Sequence, residues 1–130
     1  METQTKIILA STSPRRKELL ARILKEFEIK PSDYEEDMTL KLTPSELAKT
    51  LSYGKAADTA KTEKGIIIGS DTFISLEGEV LGKPHTPEKA KLMLRKLSGK
   101  THKIYTGLTV INTNTQTKTQ DTIITKKSTR

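Results

Sequence analysis

A short turn near the start of the chain, STSPRR over residues 11–16, gathers side chains that bind anions. Ser13 suits a helix N-cap and is followed by proline, so Arg15 and Arg16 fall in the first helical turn. The helix dipole disfavours cations there by a few tenths to about 1 kcal/mol. A phosphate held by the hydroxyls of Ser11 and Ser13, the turn N–H groups and both guanidinium groups would remove that penalty. An ordinary capped helix with solvated arginines explains this hexamer equally well.

Two acidic positions are candidates for metal or proton chemistry. Asp71 follows the apolar run IIIGS, and a carboxylate at a strand end can hold a divalent metal or accept a proton from water. Glu36, in the acidic stretch SDYEED, can supply a second carboxylate to the metal. Each also has a simpler explanation, since an aspartate often caps a turn and acidic loops are usually just solvated.

Two lysines are candidates for contacts to phosphate. Lys83 lies in LGKPH, on a loop stiffened by proline, and Lys55 lies on a predicted helix beside two alanines. Taken singly, each is more often a surface residue. His85 and His102 have no ligand-spaced partner, so we expect no histidine metal site. No Ser-His-Asp arrangement or Walker-type glycine loop is apparent.

The elements that must position these residues alternate between strand and helix patterns. Strands are predicted over residues 6–10, 66–69 and 101–111, and helices with Ser-Pro or Thr-Pro starts begin near residues 13, 43 and 86. The segment 73–76 is a hairpin partner or a continuation of the second strand. This order indicates an α/β fold, in which ligands bind beyond the carboxyl ends of the strands.

Composition narrows the class of protein. The 130 residues carry 23 Lys and Arg against 16 Asp and Glu, a formal net charge of +7 that favours a polyanionic partner. Nucleotides and nucleic acid both qualify, but two Phe and three Tyr without basic-aromatic alternation make a nucleic-acid partner the poorer choice. There is no cysteine, long apolar run or basic leader, so we expect a soluble, cytoplasmic protein without disulfides.

The last nineteen residues differ in character from the rest. The segment NTNTQTKTQDTIITKKSTR has only Ile123 and Ile124 as apolar residues. Alternating threonines are compatible with an exposed edge strand, and a frayed polar tail is about as good an interpretation. We therefore expect one domain over residues 1–111, followed by a polar tail over 112–130.

Five linked blocks resemble the Maf family of nucleoside triphosphate pyrophosphatases. They are ILASTSPRRKELL, SDYEE, LSYGKA, IIIGSDTFISLEGEVLGKP and KLMLRKLSGKTHKIYTG, in the family's order over about residues 7–110. The resemblance implies a mixed sheet flanked by helices, of the kind shared with inosine triphosphatases. It also implies hydrolysis of a nucleoside triphosphate to the monophosphate and pyrophosphate, with Mg²⁺ or Mn²⁺ as cofactor.

The resemblance also implies roles for individual residues. The matching phosphate-binding turn consists of Ser11, Ser13, Arg15 and Arg16. Asp71 matches the proton acceptor and a metal ligand, Glu36 matches the second metal-ligating acid, and Lys55 and Lys83 match lysines that bind substrate. Arg15 and Thr72 fit the branch of the family that acts on dTTP and UTP, rather than the branch that acts on methylated GTP.

Family members continue past this point in the chain with a further acid and a glutamine for base recognition, and neither is legible in residues 112–130. We therefore expect a fragment or a frameshifted product, less stable and less active than a longer chain. A second hypothesis is a catalytically weak module that binds nucleotide or nucleic acid through the same basic cleft. Family members often form dimers, which leaves a homodimer open here.

Overall fold

The computed structural model describes residues 5–11, 13–35, 41–81 and 86–128. In these ranges it contains β1 (Ile7–Leu9), α1 (Pro14–Ala21), β2 (Glu28–Ile29), α2 (Pro44–Ala60), β3 (Ile66–Leu76), β4 (Glu79–Leu81), α3 (Pro87–Leu97), β5 (Thr101–Asn112) and β6 (Thr117–Ser128). The α/β class predicted from the sequence is confirmed.

One mixed sheet organises the molecule. Its order is β2-β1-β3-β5-β6, and β4 pairs separately with β3. Strand β1 runs parallel to both β2 and β3, whereas β5 is antiparallel to β3 and to β6. The parallel pairs bring the carboxyl end of β1 beside the middle of β3, which is where a ligand site is expected in such sheets.

All three helices begin where the sequence predicts. Ser13, Thr43 and Thr86 are the N-caps, and each side chain accepts a hydrogen bond from the backbone N–H three residues later. A proline follows every cap, where its missing N–H costs nothing. Helix α1 ends at Ala21 and buries none of its residues, although its apolar pattern continues to Phe27.

Strand β3 is longer than the predicted strand over 66–69. The segment 73–76 is its continuation, so Asp71 lies inside the strand rather than at its end. Glu77 and Gly78 then form a tight turn with φ of 52° and 83°, and β4 pairs back onto β3. Left-handed φ at both central residues is the geometry of a short hairpin turn.

Helix α2 covers one face of β3 and β5. Leu47 and Leu51 pack there against Phe73 and Tyr105, whose stacked rings have centroids 5.7 Å apart. Gly107 permits this close approach, since a Cβ on it would overlap the backbone carbonyl of Ala48 in α2. The helix therefore rests on the strand backbone itself.

The threonine-rich segment forms β6, an edge strand paired with β5 along its whole length. Two side chains of β6 also reach α2. Gln120 Nε2 donates to the carbonyl of Lys49 at 3.0 Å, and Thr122 Oγ1 donates to that of Ser45 at 3.2 Å. Polar side chains can therefore dock this strand although it offers little apolar surface. None of the helices in the described part of the chain combines the length and apolar character needed to span a bilayer.

Candidate active site

Asp71 is the centre of the candidate site. Its side chain is only 1% exposed and lies on the face of β3 that α2 covers. Lys55 of α2 donates to Asp71 Oδ1 over 2.7 Å and also reaches the carbonyl of Ser70 at 3.4 Å. A buried carboxylate is costly unless an opposite charge compensates it, and the Lys55 ammonium provides that charge.

The next residue along β3, Thr72, connects Asp71 to the turn that follows β1. Arg16 donates from Nη2 to Thr72 Oγ1 at 3.1 Å and from Nη1 to Ser11 Oγ at 3.4 Å. Because successive side chains of a strand point to opposite faces, Asp71 and Thr72 lie on the two sides of β3. The predicted site therefore straddles this strand.

The pairing of β1 with β3 explains why the turn and the strand meet. Leu9 is in register with Ile68, and the Ala10 N–H donates to the Ile68 carbonyl at 2.9 Å. The chain therefore leaves β1 at Ser11, beside the part of β3 that carries Asp71. Parallel pairing of this kind cannot be read from either segment alone.

The turn itself is closed by its own hydrogen bonds. The Ser13 N–H donates to Ser11 Oγ at 3.1 Å, and Ser13 Oγ accepts from the Arg16 N–H at 3.4 Å. The two arginines differ, because Arg16 bonds to the hydroxyls of Ser11 and Thr72 whereas Arg15 is exposed. Contacts within the protein thus offset part of the dipole penalty on Arg16, and Arg15 remains accessible to a ligand.

The loop before Glu36 is fixed against α2. Asp58 accepts hydrogen bonds from the Asp33 N–H at 2.8 Å and from Ser32 Oγ at 3.1 Å. The Asp33 N–H in particular holds the pKa of Asp58 below the ordinary aspartate value of 3.8. The Tyr34 ring lies directly over Gly54, the residue before Lys55, where a Cβ would overlap it. This loop therefore approaches the site from the side of Lys55.

Two predicted site residues, Glu36 and Lys83, lie outside the described residues. Across residues 5–11, 13–35, 41–81 and 86–128, no group of three or more His, Cys, Asp or Glu side chains is placed to hold a metal. The acid at the centre is Asp71, a hard oxygen ligand. Mg²⁺ usually binds through one or two carboxylates together with water and substrate phosphates, so this donor fits a metal of that kind.

Sequence reasoning missed Thr106. This residue of β5 lies opposite Thr72 in register, and their Oγ1 atoms are 3.2 Å apart, so the two share a hydrogen bond. Thr106 is the polar residue that begins TGLTV inside a predicted strand, which was the available signal. Only the register of β5 against β3 shows that it lies opposite Thr72. Thr106 extends the polar contacts of Arg16 from β3 to β5.

Comparison with solved structures defines the class of fold. The chain superimposes on the nucleoside-triphosphatase / dITP/XTP pyrophosphatase of Mycobacterium abscessus with a TM-score of 0.62 and 16% identity, covering 95% of this chain and 73% of that one. It superimposes on the Ham1 protein of Staphylococcus aureus with a TM-score of 0.65 and 14% identity, covering 95% and 71%. At these identities the likeness concerns the fold, which is the inosine triphosphatase-like class that we expected.

Sequence comparison then gives the family. The model of the family described as Maf-like protein matches residues 6–130, so this chain belongs to the Maf family. It is similar to the dTTP/UTP pyrophosphatase of Ruminiclostridium cellulolyticum, with 51% identity over 108 residues, 82% of this chain and 56% of that protein. A similar match to the dTTP/UTP pyrophosphatase of Methanosarcina mazei has 52% identity over 109 residues, 82% of this chain and 55% of that protein. The aligned region thus spans little more than half of these relatives.

Proposed function

We propose that this chain carries the phosphate-side half of a nucleoside triphosphate pyrophosphatase that acts on dTTP and UTP. The reaction is attack of water at the α-phosphorus, which yields the nucleoside monophosphate and pyrophosphate. The observation that carries the proposal is the buried Asp71–Lys55 pair, joined through Thr72 to Arg16 and Ser11. The names of the similar relatives support a hydrolase over a module that only binds nucleotide.

Asp71 is the proposed proton acceptor. Its carboxylate sits on a central strand, where it is held in one position by the Lys55 ammonium. A fixed carboxylate can orient a water molecule and accept its proton as that water attacks phosphorus. Lys55 compensates the carboxylate's charge before attack, and its flexible stem allows it to turn towards phosphate oxygens when these arrive.

The turn after β1 is the proposed triphosphate subsite. Ser11, Ser13 and Arg16 are already ordered by hydrogen bonds among themselves, so they need little rearrangement to bind an anion. Exposed Arg15 adds a second guanidinium group. Both arginines can donate two parallel hydrogen bonds to phosphate oxygens and so neutralise the pyrophosphate leaving group.

A divalent cation, Mg²⁺ or Mn²⁺, fits the same site. Asp71 would hold it, together with Glu36, which lies outside the described residues, and phosphate oxygens of the substrate. When bound, such an ion supplies Lewis-acid polarisation of the phosphate oxygens and neutralises their charge. Lys83, also outside the described residues, is proposed as a further substrate contact.

The substrate preference is proposed from Arg15 and Thr72. These residues fit the dTTP and UTP branch of the family, and the relatives at about half identity carry that name. Thr72 is hydrogen-bonded to Arg16 on one side and to Thr106 of β5 on the other, so it lies between the proposed phosphate subsite and β5.

The experiment is a screen for pyrophosphate release with Mg²⁺ and with Mn²⁺, comparing dTTP and UTP with ATP, GTP and 7-methyl-GTP. Specificity must be compared as kcat/KM, since that ratio measures differential stabilisation of the transition state. We expect the two pyrimidine triphosphates to be preferred. Equal ratios for purines and pyrimidines would contradict the substrate assignment, and release of orthophosphate instead of pyrophosphate would contradict the reaction.

A further inference from the structure

A cavity lies on the same face of the sheet as Asp71, at the far end of β3. Its volume is about 340 Å³ and its lining includes Ser75, Lys103, Tyr105 and Lys126. Ser75 is in register with Lys103, and Lys103 with Lys126, so these three residues form one row across β3, β5 and β6. Two ammonium groups therefore project side by side from neighbouring strands.

That juxtaposition is unfavourable without a ligand. Like charges directly opposite each other in a sheet destabilise the pair of strands. Within the described part of the chain, neither Lys103 nor Lys126 has a carboxylate partner. Glu77 also lines the cavity, but its carboxylate lies 3.7 Å from Lys100. An anion bound between the two lysines would attract both ammonium groups and so offset their mutual repulsion.

Two hydroxyls that open onto the cavity support the same conclusion. Ser75 is 4% exposed and Tyr105 is 7% exposed, yet both line the cavity. Among the described residues, neither hydroxyl has a side-chain hydrogen-bond partner. Neither hydroxyl oxygen is fully shielded from solvent, so both donors are accessible to an oxyanion.

The cavity is separate from the candidate active site. Ser75 lies four residues beyond Asp71, about 13 Å along the strand. Between them, the row of Phe73 and Tyr105 is packed under Leu47 and Leu51. Helix α2 begins near Thr122 of β6, so Lys126 lies beyond the end of the helix that covers Asp71.

We propose that this cavity binds one phosphoryl group of a small phosphorylated molecule. Lys103 and Lys126 would supply the charge, and the hydroxyls of Ser75 and Tyr105 would each donate one hydrogen bond to a phosphate oxygen. Hydrogen bonds to charged groups are the stronger ones in proteins. A cavity of about 340 Å³ has room for a phosphoryl group and the adjoining part of the molecule that carries it. The proposal does not depend on the pyrophosphatase activity.

The test is a titration of the ¹⁵N-labelled chain with inorganic phosphate and with pyrophosphate, followed by NMR. The amide signals of Ser75, Gly78 and Lys103 report on this cavity, and those of Ser11 and Arg16 report on the candidate active site. We expect saturable shifts at the first set that persist when Arg16 is replaced by methionine. Shifts confined to Ser11 and Arg16 would overturn the proposal.

Matched variants separate binding at this cavity from general electrostatic attraction of the basic chain for anions. The double variant Lys103→Met/Lys126→Met should raise the dissociation constant for phosphate at least about tenfold. Ser75→Ala, which keeps both charges, should raise it at least about threefold. The control Lys64→Met/Lys91→Met removes two exposed lysines elsewhere and should leave the constant unchanged. An equal rise of the dissociation constant in the control would overturn the proposal. A single-stranded DNA octamer that binds this cavity more than tenfold tighter than pyrophosphate would also overturn it.

Discussion

The two faces of the central sheet differ in how completely they are covered. On the face beneath α2, alternate residues of β3 and β5 are buried. On the opposite face most of the intervening residues are only half-buried, among them Ile66, Ile68, Ile74, Ile104, Leu108 and Val110. In these two strands, burial on that face is limited to Ser70, His102 and Leu76, the last of which packs against Leu97 of α3. The same two strands thus present a closed and an open surface, and Asp71 belongs to the closed one.

The closed face is polar as well as apolar. Ser52 Oγ and Thr109 Oγ1 share a hydrogen bond of 2.7 Å, and Gln120 Nε2 donates to the same threonine at 3.0 Å. Buried polar groups of this kind stabilise only when they are hydrogen-bonded. Burial and hydrogen bonding are therefore more complete on the face that holds the charged pair of Asp71 and Lys55, while the open face carries Thr72 and the arginine that contacts it.

The largest expected effect on stability comes from breaking that charged pair. Lys55→Met should lower the free energy of unfolding by about 4 kcal/mol, because it removes the ammonium that compensates a buried carboxylate. Chemical denaturation measures the loss. Adding Asp71→Asn to the same chain should restore much of it, and a double variant no more stable than Lys55→Met would show that the pair does not hold this face.

Truncating apolar side chains tests the difference between the faces directly. Leu51→Ala, on the closed face, should cost about 3 kcal/mol, since the side chain is fully buried and a cavity would remain. Leu108→Ala, on the open face, should cost about 1 kcal/mol, because much of that side chain is already hydrated. Equal losses in the two denaturation midpoints would remove the distinction.

Filling the contact between α2 and β5 should lower the free energy of unfolding by less than Leu51→Ala does. Gly107→Ala places a Cβ against the Ala48 carbonyl and should destabilise the chain by about 2 kcal/mol through overpacking. Amide hydrogen exchange in α2 should accelerate together with the loss of stability. Unchanged exchange and stability would mean that the helix does not rest on the strand backbone.

The smallest effect concerns pH and the loop before Glu36. The pKa of Asp58 is lowered in the folded chain from 3.8, chiefly by the Asp33 N–H, so the carboxylate's contribution to stability is present above that value. It is lost as the pH falls through the lower folded pKa. The protection of the Asp33 amide from exchange, relative to its intrinsic rate at each pH, should therefore fall only in that acidic range, and in Asp58→Asn it should be low at neutral pH also.

Much of the fold could be predicted from local signals. The three capped helices follow from Ser-Pro and Thr-Pro pairs, because capping depends on neighbouring residues alone. The short β2 and the full length of β3 were not foreseen, since β2 exists only through its pairing with β1 and Asp71 and Thr72 interrupt the apolar run of β3. Pairing between segments that are distant in sequence decides whether β2 forms and how far β3 extends.

The candidate site shows the same limit. The resemblance singled out Asp71, Lys55, Arg16 and Ser11, and the structure brings these four side chains onto adjoining elements. The Lys55–Asp71 contact itself was not anticipated, because Lys55 was expected to face phosphate. Thr106 was missed because its position depends on the register of β5 against β3.

The most direct test of the proposed function is pyrophosphate release from dTTP by the Asp71→Asn variant, with Lys64→Met as a control at an exposed lysine. Asparagine keeps the size of the side chain but removes its charge and its ability to accept a proton. We predict that kcat falls at least about 10²-fold in Asp71→Asn while the control retains the activity of the unsubstituted chain. An Asp71→Asn variant with unchanged kcat would remove Asp71 from the chemistry and contradict the account.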